Sequence, residues 1–226
     1  SGLSDTTSWS KAGTVAGDGF GYSVSTAGDV NGDGYSEVIV GAPYYDGGNT
    51  NEGIAMIFSG TATGLKPTPI ASFEGNQDSA NFGASVSTAG DVNGDGYADV
   101  IIGSPNYSNG QSHEGSAFIY HGLVSTPFLT LDTVVESNQA NSYFGGSVAT
   151  AGDVNGDGYS DVIVGAQYYD GGQTDEGKVY LYNGSAAGIS PAAIWTAESD
   201  QADATFGEKV ATAGDVNGDG YSDVLI

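Results

Sequence analysis

The sequence has no cysteine and no arginine, and it has only two histidines and four lysines among 226 residues. Without cysteine, neither disulfide bonds nor thiolate chemistry is available. The 28 acidic residues give a formal net charge of −24, which argues against nucleic acid and anionic membrane surfaces as partners and favours cations. No apolar run approaches the roughly 18 residues of a membrane-spanning helix, so membrane insertion is not expected.

Glycine, in contrast, is abundant, at 38 residues without a collagen triplet, which predicts many tight turns. The ten residues TAGDVNGDGY recur four times in steps of 62 residues, at 26–35, 88–97, 150–159 and 212–221. A constant step without insertions indicates that the units occupy equivalent positions in space. Other landmarks keep this step: Phe20-Gly21, Phe82-Gly83, Phe144-Gly145 and Phe206-Gly207 before the motif, and Glu52-Gly53, Glu114-Gly115 and Glu176-Gly177 after it.

Each unit contains the pattern of four short strands separated by turn-rich segments. The first strand begins at the Phe-Gly pair, and the second is a compact, mostly β-branched apolar run that predicts burial on both faces. The third alternates apolar and aromatic residues, and the fourth is looser. The expected second strands are 37–43, 98–105 and 160–166, the third 54–58, 116–120 and 179–182, and the fourth 8–10, 70–73, 129–134 and 192–196.

Four antiparallel strands repeated at a fixed period predict an all-β protein, a β-propeller of four-stranded blades. A β-helix would need a much shorter period. Residues 1–226 then form one propeller region of about 3.6 blades. Its repeat units are approximately 2–63, 64–125, 126–187 and an incomplete 188–226, so we expect a fragment of a longer propeller or a chain that pairs with another to close a ring.

The strongest chemical signal lies between the first and second strands of each unit, where oxygen-bearing side chains stand at loop positions 1, 3, 5 and 9. Position 6 is a glycine, which permits a sharp turn, and position 7 is a tyrosine that offers its backbone carbonyl. The predicted metal ligands are Asp29, Asn31, Asp33, Tyr35 and Glu37; Asp91, Asn93, Asp95, Tyr97 and Asp99; Asp153, Asn155, Asp157, Tyr159 and Asp161; and Asp215, Asn217, Asp219, Tyr221 and Asp223.

This donor set predicts Ca²⁺, about one ion per repeat and four in the chain, because calcium takes six to eight oxygen ligands in flexible geometry. Magnesium prefers octahedral geometry with waters, and zinc needs histidine or cysteine. A simple hairpin turn would not need acids at so many spaced positions. An EF-hand would need an acid at position 12, where this sequence has Val40, Ile102, Val164 and Ile226.

The Phe-Gly pair followed by DVNGDGYSEVIVGAP resembles the FG-GAP repeat of the integrin α-subunit propeller, over nearly the whole chain. The match weakens from Gly41-Ala42-Pro43 to Gly103-Ser104-Pro105 and Gly165-Ala166-Gln167. The near-identity of the units is more like the bacterial and archaeal relatives than like animal integrins. The resemblance implies a propeller with calcium in the loop described above, an extracellular location, and binding to other macromolecules.

The functional prediction is a non-catalytic, calcium-binding adhesion or protein-interaction scaffold, secreted or at the cell surface. The alternatives are a calcium-dependent lectin, since tyrosines at 44–45, 107 and 168–169 lie on polar loops, or an accessory domain of a larger surface protein or enzyme. The partner is a protein or glycan on the propeller surface, and open blade edges predict self-association. Each histidine, His113 and His121, occurs in one unit, which gives catalysis little support. Glu52, Glu114 and Glu176 are interpreted as turn caps rather than as further ligands.

Overall fold

The computed structural model describes residues 9–13, 15–126 and 128–226, and in these residues the protein consists of strands and turns without helices. None of the described segments is therefore a helix able to cross a membrane. The strands are β1 Ser23–Gly28, β2 Glu37–Ala42, β3 Ile54–Phe58, β4 Pro69–Glu74, β5 Ser85–Gly90, β6 Asp99–Ser104, β7 Ser116–Gly122, β8 Leu129–Glu136, β9 Phe144–Gly152, β10 Asp161–Ala166, β11 Lys178–Tyr182, β12 Trp195–Glu198, β13 Ala211–Gly214 and β14 Asp223–Leu225.

The strands form three four-stranded antiparallel sheets in simple chain order, β1–β4, β5–β8 and β9–β12, and a two-stranded sheet, β13–β14. The first strands of successive sheets, β1, β5, β9 and β13, pack against one another, so the sheets are arranged side by side as blades. The predicted β-propeller is therefore confirmed. Because neighbouring strands within a blade run in opposite directions, the β1–β2 and β3–β4 connections lie at the same end of the blade. The β2–β3 connection and the link to the next blade lie at the opposite end.

The second strand of each complete blade is covered on both faces, as predicted. All six residues of β6 and of β10 are buried, and five of six in β2. The hydrophobic core lies between blades rather than within one blade, since a single sheet cannot bury either face alone. Ile57 of the first blade, for example, belongs to the same cluster as Phe82 and Ile102 of the second.

The Phe-Gly and Gly-Ala-Pro elements meet where one blade joins the next. Phe82 is almost completely buried, and its neighbour Gly83 accepts a hydrogen bond from the Ser23 hydroxyl at 2.7 Å. A Cβ on Gly41 would lie 2.0 Å from the Gly83 carbonyl oxygen, so no larger residue fits at Gly41 without moving one blade. The repeat motif is therefore an interface between blades, and the same contact recurs at Gly103 and Gly165.

Each sheet takes its fourth strand from the start of the following repeat unit, as β4 at Pro69–Glu74 does, so a sheet and a repeat unit do not have the same bounds. One strand expectation needs correction. The fourth-type strand expected at 8–10 is not found at Trp9 and Ser10, and Ser8 lies outside the described residues. A fourth strand pairs with a third strand of its own sheet, and no described strand precedes β1 to supply one. Trp9 instead packs edge-on against Phe58, with ring centroids 5.6 Å apart.

Candidate metal centre

The four loops with the predicted metal ligands connect the first and second strands of the blades and fold alike. In the first, one carboxylate oxygen of Asp29 accepts hydrogen bonds from the N–H groups of Gly32 and Asp33, at 2.7 and 3.1 Å, and the other from Gly34 at 2.9 Å. The corresponding carboxylates, Asp91, Asp153 and Asp215, make the same three bonds. The acid at position 1 therefore sets the conformation of the loop.

Positions 3 and 5 continue this turn. The side-chain oxygen of Asn31 accepts the N–H of Asp33 at 2.9 Å, and the Asp33 carboxylate accepts the N–H of Tyr35 at 3.0 Å. Each is a two-residue side-chain-to-backbone turn, which Asn and Asp favour. Gly34 has a φ of 88°, in the left-handed region where a side chain is strained, and a Cβ there would meet nothing within 4 Å. Glycine is thus needed at position 6 for backbone conformation rather than for space.

The acid at position 9 is the buried member of the set. Asp99 is fully buried, and its two oxygens accept the N–H groups of Val92, at 2.7 Å, and Gly122, at 2.9 Å. It thereby ties the loop to the end of the third strand, since Gly122 closes β7. Asp161 does the same through Val154 and Gly184. Glu37 accepts hydrogen bonds from Val30, Asn31 and Gly60, and Asp223 from Val216.

Burial raises the pKa of the position-9 carboxyl above its ordinary value in three loops. For Asp99 the pKa rises from 3.8 to about 6, with loss of solvent as the largest cause and the N–H donors of Gly122 and Val92 opposing it. The pKa values of Glu37 and Asp161 are raised for the same reason, and the neighbouring acids at positions 5 and 1 raise them further. In these three loops, burial and, to a smaller extent, the neighbouring acids disfavour the charged form of the position-9 carboxyl, and a bound cation would offset both effects.

The loop donors are side-chain and backbone oxygens only, which fits a hard cation such as calcium. The three carboxylates of each loop do not, however, approach within 4.8 Å of one another; in the part of the chain that the structure describes, one acidic trio does so, and it lies elsewhere. The acids at position 5 are exposed, and those at position 1 are half-buried in the first three loops; both instead bond to the backbone N–H groups of their own turn. The position-1 oxygen that accepts only the glycine at position 6, and the position-5 oxygen that accepts only the tyrosine N–H, each keep a second lone pair for an ion.

The tyrosine at position 7 has a role that the sequence alone did not show. A Cβ on Gly32 would lie 2.4 Å from the ring of Tyr97, so this ring packs directly on the preceding loop. Tyr159 packs in the same way on Gly94, and Tyr221 on Gly156. The carbonyl of Asp29 also accepts the N–H of Ala98 at 3.0 Å, so neighbouring loops are bonded to each other. Position 4 is glycine and position 7 is tyrosine in all four loops. This repetition was the available signal in the sequence, since a loop that only binds a metal ion does not require tyrosine.

Comparison with protein families agrees with this geometry. A family described as FG-GAP repeat matches residues 20–58, 82–120, 144–182 and 206–226, each match beginning at the phenylalanine of the blade junction. The chain belongs to the FG-GAP repeat family. Each FG-GAP match includes one of the four acidic loops.

Similar proteins include integrin α chains from several animals. The integrin alpha-3 of Cricetulus griseus is 30% identical over 212 residues, which cover 91% of this chain and 19% of that protein. The integrin alpha-IIb of Mus musculus is 34% identical over 92% of this chain and 20% of that protein, and the integrin alpha-PS3 of Drosophila melanogaster is 34% identical over 92% and 18%. The FG-GAP chain therefore spans about a fifth of the length of these relatives.

Proposed function

We propose that the protein is a calcium-stabilised, non-catalytic propeller module that serves adhesion or protein interaction outside the cell. The observation that carries the calcium assignment is the buried carboxylate at position 9 of the first three loops, whose pKa is raised by burial and then by the other loop acids. A divalent ion would offset that repulsion. The ligands would be the side chains at positions 1, 3, 5 and 9 and the carbonyl at position 7 of each loop, with one ion per loop.

Calcium would act mainly on stability, because the loops join neighbouring blades through the ring at position 7 and the backbone bond to position 8. A site held at ten times its Kd adds about 1.4 kcal/mol by mass action, so four independent sites add about 5–6 kcal/mol. The test is thermal unfolding in calcium and in chelator, with isothermal titration calorimetry to count ions. We expect a large fall in melting temperature on chelation, and an unchanged curve would refute the assignment. Asp157→Ala should remove one ion.

The macromolecular ligand is proposed to bind at the end of the propeller opposite these loops. Tyr22 and Tyr44 make an edge-to-face contact there with ring centroids 5.9 Å apart, and Tyr143 and Tyr168 lie 5.5 Å apart. Burial, and then the neighbouring Tyr22, Tyr44 and Tyr168, raise the pKa of Tyr143. The tyrosines of different blades therefore meet on one surface, and amphipathic rings are common in protein interfaces.

A second candidate function, glycan binding, is favoured by one cavity on the same surface. It is lined by Asn106, His113, Asn141, Tyr143 and Tyr168, a combination of amides and aromatic rings that suits a sugar. A glycan array with and without calcium separates the two functions. Binding that is lost in Tyr168→Ala would favour the lectin, and an array without signal, together with capture of a protein ligand, would favour the scaffold.

Self-association is proposed through the two open faces of the blade array. Val24 of the first blade is 64% exposed, whereas its equivalents Val86 and Val148 are 8% and 6% exposed between blades. At the other face, Val216 is 72% exposed and its equivalent Val92 is buried. Since these faces are the two halves of one repeated interface, a second copy would fit head to tail. Light scattering across a concentration series tests this, and Val24→Asp should shift the chain toward monomer.

A further inference from the structure

A second acidic cluster lies at the end of the propeller opposite the β1–β2 loops, in the third blade. It consists of Glu176, Glu198 and Asp200, each with one carboxylate oxygen within 4.8 Å of the others. Glu176 precedes β11, Glu198 ends β12, and Asp200 follows it. Among the residues that the structure describes, no other three acids approach one another so closely.

Glu176 contains an oxygen without a partner. Its side chain is fully buried, and one carboxylate oxygen accepts the N–H groups of Gly171 and Gly172. The other oxygen is buried without a hydrogen bond. The bonded oxygen, Oε1, lies beside Glu198 Oε2, because a Cβ placed on Gly171 would touch both atoms. A buried carboxylate oxygen without a donor is costly unless something outside the chain pairs with it. Glu114 of the second blade also has such an oxygen, so it is the two further carboxylates that distinguish the third blade.

The first blade shows how the same position is satisfied without an external group. There, Glu52 is the equivalent of Glu176, and the side-chain amide of Asn49 donates to its second oxygen at 3.0 Å. The residue equivalent to Asn49 in the third blade is Gln173, and no bond from its side chain reaches Glu176. Asp200 replaces Asn76 of the first blade, so the third blade has one internal donor fewer and one carboxylate more.

Lys178 supplies part of the compensating charge. Its ammonium lies 2.7 Å from Glu198 Oε1 and 4.5 Å from the centre of the Tyr169 ring. Lys178 thus contacts only Oε1 of Glu198, and the other oxygen, Oε2, faces Glu176. Three carboxylates and one ammonium leave two negative charges uncompensated.

We propose that Glu176, Glu198 and Asp200 bind a divalent cation, with calcium as the best fit, at a site separate from the β1–β2 loops. Calcium–oxygen distances of about 2.3–2.6 Å allow two ligand oxygens to be up to about 5 Å apart across the ion, which accommodates the spacing of this trio. The ligands are carboxylates only, so zinc is disfavoured. The ion would join the β10–β11 loop to the end of β12 and so fix the loop whose Tyr168 lines the cavity described above.

The test counts calcium ions bound per chain by native mass spectrometry and calorimetry in wild type, Asp200→Asn and the control Asp203→Asn. Both aspartates are exposed and have positive φ, 56° and 59°, a conformation that asparagine tolerates, so both variants should fold. We expect Asp200→Asn to bind one ion fewer and Asp203→Asn to bind the wild-type number. Equal counts in all three proteins, or an equal loss in both variants, would overturn the site.

A second pair of variants removes the buried carboxylate itself. Glu176→Gln retains an acceptor for Gly171 and Gly172 and should lose one ion, whereas Glu52→Gln in the first blade should lose none. An unchanged count in Glu176→Gln would also overturn the site. The same counts separate this site from the loop sites. If the loops bound no calcium, Asp157→Ala would leave the number of bound ions unchanged, while Asp200→Asn would still lower it.

Discussion

The raised pKa of Asp99 predicts that the calcium-free protein becomes less stable as pH rises from 5 to 7. Its carboxyl is fully buried, and its pKa is raised from 3.8 to about 6. Between these values the folded chain binds more protons than the unfolded chain, so the free energy of unfolding falls as pH rises. The protein should therefore be more stable in chelator at pH 5 than at pH 7, provided that calcium is absent.

The magnitude follows from the two pKa values. The difference between the pKa values of the folded and the unfolded chain lowers the free energy of unfolding by about 3 kcal/mol in total, and about 1 kcal/mol of this loss occurs between pH 5 and pH 7. For a domain of this size, 1 kcal/mol changes the melting temperature by about 2–4 °C. Burial also raises the pKa values of Glu37 and Asp161, so their effects have the same sign. Glu52 and Glu176 have lowered pKa values, and their stabilisation is lost only below about pH 4.5.

The assay is differential scanning calorimetry in chelator from pH 5 to pH 7.5, on wild type and Asp99→Asn. The variant has no carboxyl to titrate, so its melting temperature should fall less over this range, by about 2–4 °C, than that of wild type. The comparison of slopes removes the general effect of net charge, which both proteins share. Saturating calcium should reverse the wild-type trend, because the ion favours the ionised carboxylate. Parallel pH profiles of wild type and variant in chelator would refute the reasoning.

Three further predictions concern the contacts between blades. Gly103→Ala should unfold or severely destabilise the protein in urea denaturation, because its Cβ would lie 1.9 Å from the Gly145 carbonyl oxygen. Gly96→Ala is the contrast: its Cβ would meet nothing within 4 Å, but its φ is 88°, so the variant should lower the free energy of unfolding by only about 1–2 kcal/mol. Ser85→Ala removes the 2.7 Å hydrogen bond to Gly145 and should cost about 1 kcal/mol in the same assay. Tyr97→Ala should destabilise the protein even in chelator, because the ring packs on Gly32; destabilisation seen only in calcium would contradict that packing role.

The 62-residue repeat was enough to predict four antiparallel strands in each complete blade and the propeller fold, because every unit has the same local pattern and must have the same neighbours. The positions of the oxygen-bearing side chains in the acidic loops could also be predicted from the sequence, since alternate residues of a tight loop can point to one side. The offset between sheet and unit was not readable, because β4 pairs with β3 across the unit boundary and only backbone pairing decides the partner. The fourth-type strand expected at Trp9 failed for the same reason.

Local sequence thus determined which residues turn, which form strands and where acids concentrate, because these depend on a few neighbouring residues. Only the tertiary structure decided what those residues contact across a blade junction. It placed Tyr97 on Gly32 and gave Asp99 two backbone donors from different segments. It also left one oxygen of Glu176 without a donor, beside two further carboxylates. Burial and long-range hydrogen bonding depend on segments that are distant in the chain, and the repeat motif alone does not encode them.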